Sequence, residues 1–220
     1  MKLGTRKKLS EQLEDLKSKT MEMGALASTA VEKAVESLVK RNVRLAKKVI
    51  KEDDKIDDLE FEIENNCMHV IALQQPVAKD LRTIGTCLKI ITDLERVGDR
   101  AVDIANITIE MAGRAPVKPL VDIPRMAELA MGMLRDSMRA FKEGNSSLAF
   151  ELGKRDDEVD RLAHQVTREL FSYLVEDPKK ISDAVRLMLV ASFLERIADH
   201  ATNIGERVIY MEKGERVRIN

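Results

Sequence analysis

The residues of this chain with the clearest capacity for chemistry are carboxylates that repeat at a spacing of four. Glu95 is followed by Asp99, and Glu195 is followed by Asp199. Residues four apart on an α-helix share one face, with about 5–6 Å between their Cβ atoms. Two anions at that distance repel each other, and on a face between packed helices they need a positive partner. Multivalent cations, which prefer hard oxygen ligands, are candidate partners.

Each of these pairs is preceded in the sequence by a second acidic pair with the same spacing. Each is also followed, four residues later, by one further polar residue, and we call the resulting three residues a row. The candidate metal ligands are Asp53, Asp57, Glu95, Asp99 and Asp103 in the first half of the chain, and Asp156, Asp160, Glu195, Asp199 and Asn203 in the second half. Asn203 is an amide where the first row has a carboxylate, so the second row is less anionic than the first.

Long helices must position these rows. Aromatic residues make up 3% of the chain, and its 220 residues include only 10 Gly and 5 Pro. That composition is atypical of β-sandwiches and of turn-rich folds. Apolar residues recur at seven-residue spacing, which places a single stripe against neighbouring helices. The few breakers predict six helices, approximately over residues 8–40, 43–75, 77–111, 124–144, 146–176 and 180–213.

Six long helices joined by short turns predict an all-α protein made of two tandem, pseudo-symmetric, antiparallel three-helix bundles. The only Pro-rich stretch divides the chain into a first bundle (1–114), a linker (115–123) and a second bundle (124–220). An internal repeat supports this division, because Leu94–Ala101 matches Leu194–Ala201 at five of eight positions.

The predicted hairpins bring the acidic pairs together. A reversal at Pro76 places the two pairs of the first half at one level on adjacent helices, and a reversal near Asp177–Pro178 does the same in the second half. Two interpretations of this convergence remain open. The carboxylates form ion pairs with local bases on a solvated face, or they bind Mg, Mn, Ca or iron. Neither row has the Cys and His spacing of a zinc-finger-type site.

Charge and cysteine content narrow the class of protein. With 37 basic and 38 acidic residues, the net charge is −1, which argues against a nucleic-acid binder driven by bulk charge. Two cysteines favour a reducing compartment. No apolar run approaches the roughly 20 residues of a membrane span, and no apolar segment follows the basic N-terminal residues. We therefore expect a soluble, intracellular protein without a membrane-spanning helix.

Around the repeated motif the sequence resembles the PhoU family of phosphate-uptake regulators. The resemblance lies in Leu94–Asp99, in Leu194–Ile204 and in the stretch Gln74–Arg82, which is similar to the first hairpin of that family. It extends over essentially the whole chain as two tandem repeats. The doubled motif is more specific than either copy alone.

The resemblance implies a cytoplasmic negative regulator that restrains phosphate uptake. Its partners would be the ATPase subunit of a phosphate ABC transporter and a sensor histidine kinase, and it would reach the membrane only through them. The resemblance also implies that the acidic motifs hold multinuclear metal clusters, with iron as the first candidate and Mg, Mn, Ca or Zn as alternatives. No catalytic activity and no nucleic-acid partner are expected, and a homodimer is compatible with this role.

Two functions from other classes also fit the residues. One is a metal-dependent enzyme, either a di-metal carboxylate oxidase or a phosphatase, because two-metal sites support such chemistry. Ferritin-like oxidases, however, use Glu-x-x-His pairs, which are absent from the acidic rows. The other is a metal-free helical scaffold whose carboxylates are neutralised by arginines.

Overall fold

The computed structural model describes residues 3–114 and 120–219, and within these ranges the protein is helical, without a β-strand. The elements are α1 (Leu3–Lys40), α2 (Val43–Glu52), α3 (Asp54–Gln74), α4 (Lys79–Glu110), α5 (Asp122–Glu143), α6 (Ser146–Phe150), α7 (Leu152–Glu176), a 3-10 turn (Pro178–Lys180) and α8 (Ile181–Lys213). The predicted all-α architecture of two three-helix units is confirmed. One unit contains α1 to α4 and the other contains α5 to α8.

The middle helix of each unit is interrupted, so the prediction of continuous helices over 43–75 and 146–176 is wrong. The first break lies at Asp53 and the second at Glu151. Both residues keep right-handed helical backbone angles, with φ −63° and ψ −37° at Asp53 and φ −70° and ψ −14° at Glu151. Each break is therefore a local interruption of the helical hydrogen bonding without a reversal of the chain. Neither position has the Gly or Pro that marks a helix end in a sequence.

The two interrupted helices begin in the same way. The side chain of Asn42 accepts a hydrogen bond from the backbone N–H of Leu45, and the side chain of Asn145 accepts one from Leu148, both at 3.0 Å. Asparagine satisfies a free N–H group at a helix start in this way. Just before Asn145, Gly144 ends α5 with φ +64°, a left-handed conformation that glycine adopts without strain.

The hairpin reversals lie where the breakers predict them. Pro76 follows Gln75, whose φ of +48° ends α3 in the left-handed region, and α8 ends at Gly214 with φ +75°. The predicted linker over 115–123 lies mostly outside the described residues. Within the described part, α4 ends at Glu110 and α5 begins at Asp122, inside the predicted linker.

The two units share one hydrophobic core. Buried side chains from α1 to α8 form a continuous cluster, in which α4 packs on α8 and α1 packs on α5. The helices keep their charged faces outside this cluster, and no helix in the described ranges is both long and apolar enough to cross a membrane. The core therefore fixes how the acidic rows of the two units lie relative to each other.

Helices α4 and α8 run antiparallel and contact each other around a pseudo-twofold axis. Nδ1 of His200 lies 2.9 Å from Oδ1 of Asp93, and the guanidinium of Arg100 lies 5.4 Å from the ring centroid of Phe193. The 100-residue repeat relates position 93 to 193 and position 100 to 200, so these are equivalent contacts made by different chemistry. Positions 93 to 100 of α4 thus lie beside positions 193 to 200 of α8 in the opposite direction. The pairs Glu95–Asp99 and Glu195–Asp199 therefore lie at the same height along the two helices.

Replacing Leu194 with alanine tests the shared core. Leu194 is fully buried on α8, at the contact with α4, whereas Leu189 on the same helix is 44% exposed. We expect Leu194→Ala to lower the free energy of unfolding by about 2–5 kcal/mol because it leaves a cavity. Leu189→Ala is the matched control and should change stability by only about 0.5 kcal/mol. Urea unfolding followed by circular dichroism measures both, and equal effects would contradict the packing described.

Candidate metal centre

Four carboxylates of the first unit lie together on the face formed by α3 and α4. Asp53 lies at the junction of α2 and α3, Asp57 lies in the first turn of α3, and Glu95 and Asp99 lie near the middle of α4. The hairpin at Pro76 brings the two pairs to the same level, and each carboxylate is repelled by carboxylates of the opposite helix. These four residues are the first acidic cluster.

Burial and repulsion both disfavour the charged forms of Asp53, Asp57 and Glu95. Loss of hydration raises the pKa of Asp53 to about 6, and the charges of Asp57, Asp99 and Glu95 add to the rise. The pKa of Asp57 is raised first by burial and then by Asp99. The pKa of Glu95 is raised by the same two causes, although the guanidinium of Arg96 opposes the rise. A cation among these oxygens would relieve the repulsion and favour the charged forms.

Gly98 allows the α2–α3 junction to approach α4 closely. A Cβ atom at this position would lie 2.9 Å from Oδ1 of Asp53 and 3.1 Å from Cδ1 of Ile56. Contacts that short require the neighbours to move, so the absence of a side chain lets the Asp53 carboxylate lie against α4. The second unit has Ala198 at the equivalent position, so the two clusters differ at this contact.

Arginines on α4 neutralise part of the first cluster. Arg96 lies 3.4 Å from an oxygen of Glu95 and 3.2 Å from an oxygen of Asp99, and Arg100 lies 3.8 Å from Asp99. Within the described residues, Asp53 and Asp57 form no ion pair. Neutralisation is therefore uneven, because the members on α4 have arginine partners and the other two do not.

The second acidic cluster lies in the equivalent place between α7 and α8. It contains Asp156, Asp160, Glu195 and Asp199. Loss of hydration raises the pKa values of Glu195 and Asp199, and the charge of Asp160 is the next largest cause for both groups. Asp156, one turn before Asp160, is almost fully buried at 3% exposure. The repulsive arrangement of the first cluster is thus repeated.

Bases near the second cluster act from a distance. His164 and then Arg196 oppose the pKa rise of Glu195, and His200 and then Arg196 oppose that of Asp199. Across the part of the chain that the structure describes, no basic nitrogen lies within 4.0 Å of the carboxylates of Asp160, Glu195 or Asp199. Asp160, Glu195 and Asp199 are therefore less neutralised by direct ion pairs than Glu95 and Asp99 of the first cluster.

The two residues that extend the rows lie at the contact between the units. Asp103 forms an ion pair with Arg100 at 2.7 Å, and Arg196 of the other unit opposes the rise of its pKa that burial causes. Nδ2 of Asn203 donates to Oδ1 of Asp93 at 3.4 Å. Asp103 is thus at the edge of the first cluster, and the structure places Asn203 at the contact with Asp93, across the unit boundary.

Glu60 also belongs to the acidic face of the first unit, although the four-residue spacing of the candidate ligands does not include it. Its pKa is raised by burial first, and then by the charges of Glu64 and Asp57. Glu60 in turn raises the pKa of Glu95 across the hairpin. Glu60 lies three residues after Asp57 on the same helix, and residues at that spacing also share one face. This spacing could have identified Glu60 from the sequence.

The donor chemistry of the clusters suits hard cations. Their side chains supply only carboxylate oxygens, the ligands that Mg, Mn, Ca and iron accept. The two cysteines lie in the core, where burial raises the pKa of Cys67 to about 12 and that of Cys87 to about 11, so both remain neutral thiols. Among the described residues, no three His, Cys, Asp or Glu side chains are already arranged to hold one ion. Binding would thus require the carboxylates to reorient.

Comparison with known proteins identifies relatives along nearly the whole chain. The family model described as PhoU domain matches residues 20–108 and again residues 123–208. The phosphate-specific transport system accessory protein PhoU homolog of Aquifex aeolicus is 46% identical over 211 residues, which is 96% of each chain. The protein of the same description from Clostridium acetobutylicum is 41% identical over 217 residues, covering 98% of this chain and 99% of the relative.

Solved structures show the same architecture. The crystal structure of PhoU from Pseudomonas aeruginosa superposes with a TM-score of 0.90 at 34% identity, covering 94% of this chain and 99% of that one. The phosphate transport system regulatory protein PhoU from Streptococcus pneumoniae superposes with a TM-score of 0.88 at 27% identity, covering 95% and 99%. The similarity therefore includes both three-helix units and their packing.

Two glycine substitutions on α4 test the close approach at the first cluster. Gly85 has open space around its Cα, so Gly85→Ala should stabilise the helix by about 0.5–1 kcal/mol. We expect Gly98→Ala to lose that gain, because the new methyl group displaces the Asp53 carboxylate and Ile56. Urea unfolding of the two variants provides the comparison. An equal gain at both positions would show that Asp53 does not lie against α4.

Replacing Asp53 with asparagine tests the repulsion itself. A folded-state pKa of about 6, above the ordinary 3.8, means that stability falls as pH rises from about 4 to 6 and stays lower above that range. In metal-free protein we expect Asp53→Asn to add about 1–2 kcal/mol at pH 7.5, an amount reduced by solvent screening. The gain should vanish below pH 4.

Urea unfolding in EDTA at the two pH values gives the measurement for Asp53→Asn. The matched control is Asp58→Asn, an exposed neighbour on α3, which should change stability by only about 0.5 kcal/mol. A gain of the same size at both pH values would contradict the electrostatic explanation.

Proposed function

The chain belongs to the PhoU family, and on that premise we propose that it is a regulatory accessory protein of phosphate transport. Relatives that match almost its full length are described as phosphate-specific transport system accessory proteins. In this role the protein restrains phosphate uptake and represses the phosphate-starvation response while phosphate is plentiful. Both three-helix units contribute, because both match the family.

The mechanism that we propose depends on metal ions at the two acidic clusters. The observation that supports it is the convergence of half-buried carboxylates with raised pKa values at the same height in both units. Bound multivalent cations would supply the positive charge that offsets the repulsion among these carboxylates. The ligands are Asp53, Asp57, Glu95 and Asp99 in the first cluster and Asp156, Asp160, Glu195 and Asp199 in the second. Iron is the first candidate by family resemblance, with Mg, Mn, Ca or Zn as alternatives.

Arginines of the first cluster link metal binding to the surface of the protein. In the metal-free chain, Arg96 and Arg100 hold the carboxylates of Glu95, Asp99 and Asp103. If Glu95 and Asp99 held cations, Arg96 would lose both of its partners and become available to anionic groups on a partner protein, whereas Arg100 would keep its ion pair with Asp103. Metal binding would in this way change which charges α4 presents.

The partners that we propose are the ATPase subunit of a phosphate ABC transporter and a sensor histidine kinase. The family resemblance supports both, and it also supports a cytoplasmic location at the inner face of the membrane. We propose that the chain acts by contact with these partners and without catalytic turnover. Metal ions at the clusters would hold the helix faces in the conformation that the partners recognise.

A metal-free scaffold is the second candidate. It is favoured by the arginine pairs at the first cluster and by the absence, among the described residues, of three side chains already arranged around an ion. The second cluster favours metal binding, because Asp160, Glu195 and Asp199 form no ion pair in the described part of the chain. Metal analysis separates the two candidates.

Removing the α4 pair of the first cluster tests metal binding. We expect Glu95→Ala/Asp99→Ala to lose the metal of the first unit, so that metal per chain falls by about half after reconstitution with Fe²⁺ under anaerobic conditions. The matched control is Glu11→Ala/Asp15→Ala, which removes two exposed carboxylates at the same four-residue spacing on α1. Inductively coupled plasma mass spectrometry gives metal per chain. Undiminished metal in the first variant would exclude this cluster as a site.

The same two variants test whether metal is regulatory. In a bacterial strain lacking its own homologue, the parent protein and the α1 control should repress a phosphate-starvation reporter in high phosphate. We expect the Glu95→Ala/Asp99→Ala variant to leave the reporter active. Full repression by a variant that has lost its metal would favour the scaffold, whereas failure of the parent protein itself would reject the regulatory role.

A further inference from the structure

A cleft of about 430 Å³ lies where the C-terminal tail folds back along α8. It is lined by Glu206, Arg207, Tyr210, Arg216, Val217 and Arg218. The first three residues belong to α8 and the last three to the tail that follows Gly214. The cleft has the size typical of small-molecule sites, which occupy about 300–1,000 Å³.

The tail is held against the second unit by specific contacts. The backbone N–H of Ile219 donates to Oε1 of Glu206 at 3.1 Å. A Cβ on Gly153 would lie 1.8 Å from the carbonyl oxygen of Ile219, so only glycine there admits the tail. Near the same place, a Cβ on Gly205 would lie 3.3 Å from Cδ1 of Ile219. The tail thus forms one wall of the cleft, and α8 forms the other.

The cleft has more positive charge than the protein neutralises. Three guanidinium groups line it against one carboxylate, Glu206, which already accepts from the tail. In the described ranges none of the three arginines forms an ion pair, and Arg216 lies over the ring of Tyr210 at 5.9 Å. Nε of Arg207 is buried and has no hydrogen-bond acceptor among those residues. Buried donors usually have a protein or water partner, so the positive charge of the cleft rests on the three arginines that form no ion pair.

We propose that this cleft binds a small phosphate-bearing anion, held by Arg207 of α8 together with Arg216 and Arg218 of the tail. Guanidinium groups match phosphate oxygens in geometry and charge and form strong hydrogen bonds with them. The anion joins the tail to the helix, because arginines of both line the cleft. Free inorganic phosphate and the phosphate group of a nucleotide share this chemistry, and the test distinguishes them.

This site goes beyond the proposed function and does not depend on it. The arginines belong to the end of α8 and to the tail, and no carboxylate of either acidic cluster lines the cleft. Phosphate binding at the cleft should therefore persist when metal ions are removed. Conversely, loss of metal binding in a cluster variant leaves this site in place.

The test is isothermal titration calorimetry on the full chain in EDTA at constant ionic strength, with inorganic phosphate and AMP as separate probes. We expect at least one probe to bind at one site per chain. Arg207→Gln and Arg218→Gln should each weaken binding about tenfold or more, because each removes a charge-assisted contact. The matched control is Arg168→Gln, an exposed arginine on α7 without an ion pair in the described residues, and its affinity should stay within about twofold of the parent.

A second measurement reports on the tail directly. Trypsin cleaves after Arg216, and the bound anion should slow that cleavage in the parent protein and in the Arg168→Gln control but not in Arg207→Gln. Arg218 is exposed, so Arg218→Gln keeps the test valid if Arg207→Gln fails to fold. Absence of binding by both probes up to 10 mM, or equal binding by all variants, would overturn the proposal.

Discussion

The antiparallel packing of α4 on α8 is the contact on which the arrangement of the protein depends. It buries the apolar stripes of both helices in one core and relates the two units by a pseudo-twofold axis. Each acidic cluster is built across a hairpin that ends in one of these two helices, so the same packing sets both clusters at one height. Loss of this contact would separate the clusters even if each hairpin kept its own structure.

Within each cluster the fold holds like charges together, and this cost must be offset. In the first unit, arginines on α4 partly offset it and burial shifts Asp53 towards its neutral form, with a pKa of about 6. Neither response is complete at neutral pH, because Asp53 and Asp57 have no ion pair among the described residues. In the second repeat Asp160, Glu195 and Asp199 likewise form no ion pair among the described residues, and the proposed cations would offset this repulsion in both repeats. The metal hypothesis therefore rests on the two clusters together and not on one acidic row alone.

Helical periodicity and hairpin geometry predict much of this from the sequence. Seven-residue spacing and the breakers predict the two three-helix units, and the reversal at Pro76 predicts the level pairing of Asp53 and Asp57 with Glu95 and Asp99. The contacts across the unit boundary were not predictable, because periodicity within one hairpin says nothing about the partner unit. The hydrogen bond from Asn203 to Asp93 is one such contact. The interruptions at Asp53 and Glu151 were missed because neither has a helix breaker, and the tail that covers Gly153 has no periodic pattern to place it.

The contacts at the pseudo-twofold axis have a consequence for the history of the chain. Position 93 faces position 200, and position 193 faces position 100. If two copies of the first unit met about this axis, Asp93 of each copy would face Arg100 of the other, giving two complementary ion pairs. Two copies of the second unit would instead place Phe193 against His200 twice. The interface inside this chain thus has the geometry of an isologous dimer. Together with the internal sequence repeat, this is the geometry that duplication and fusion of such a dimer would produce.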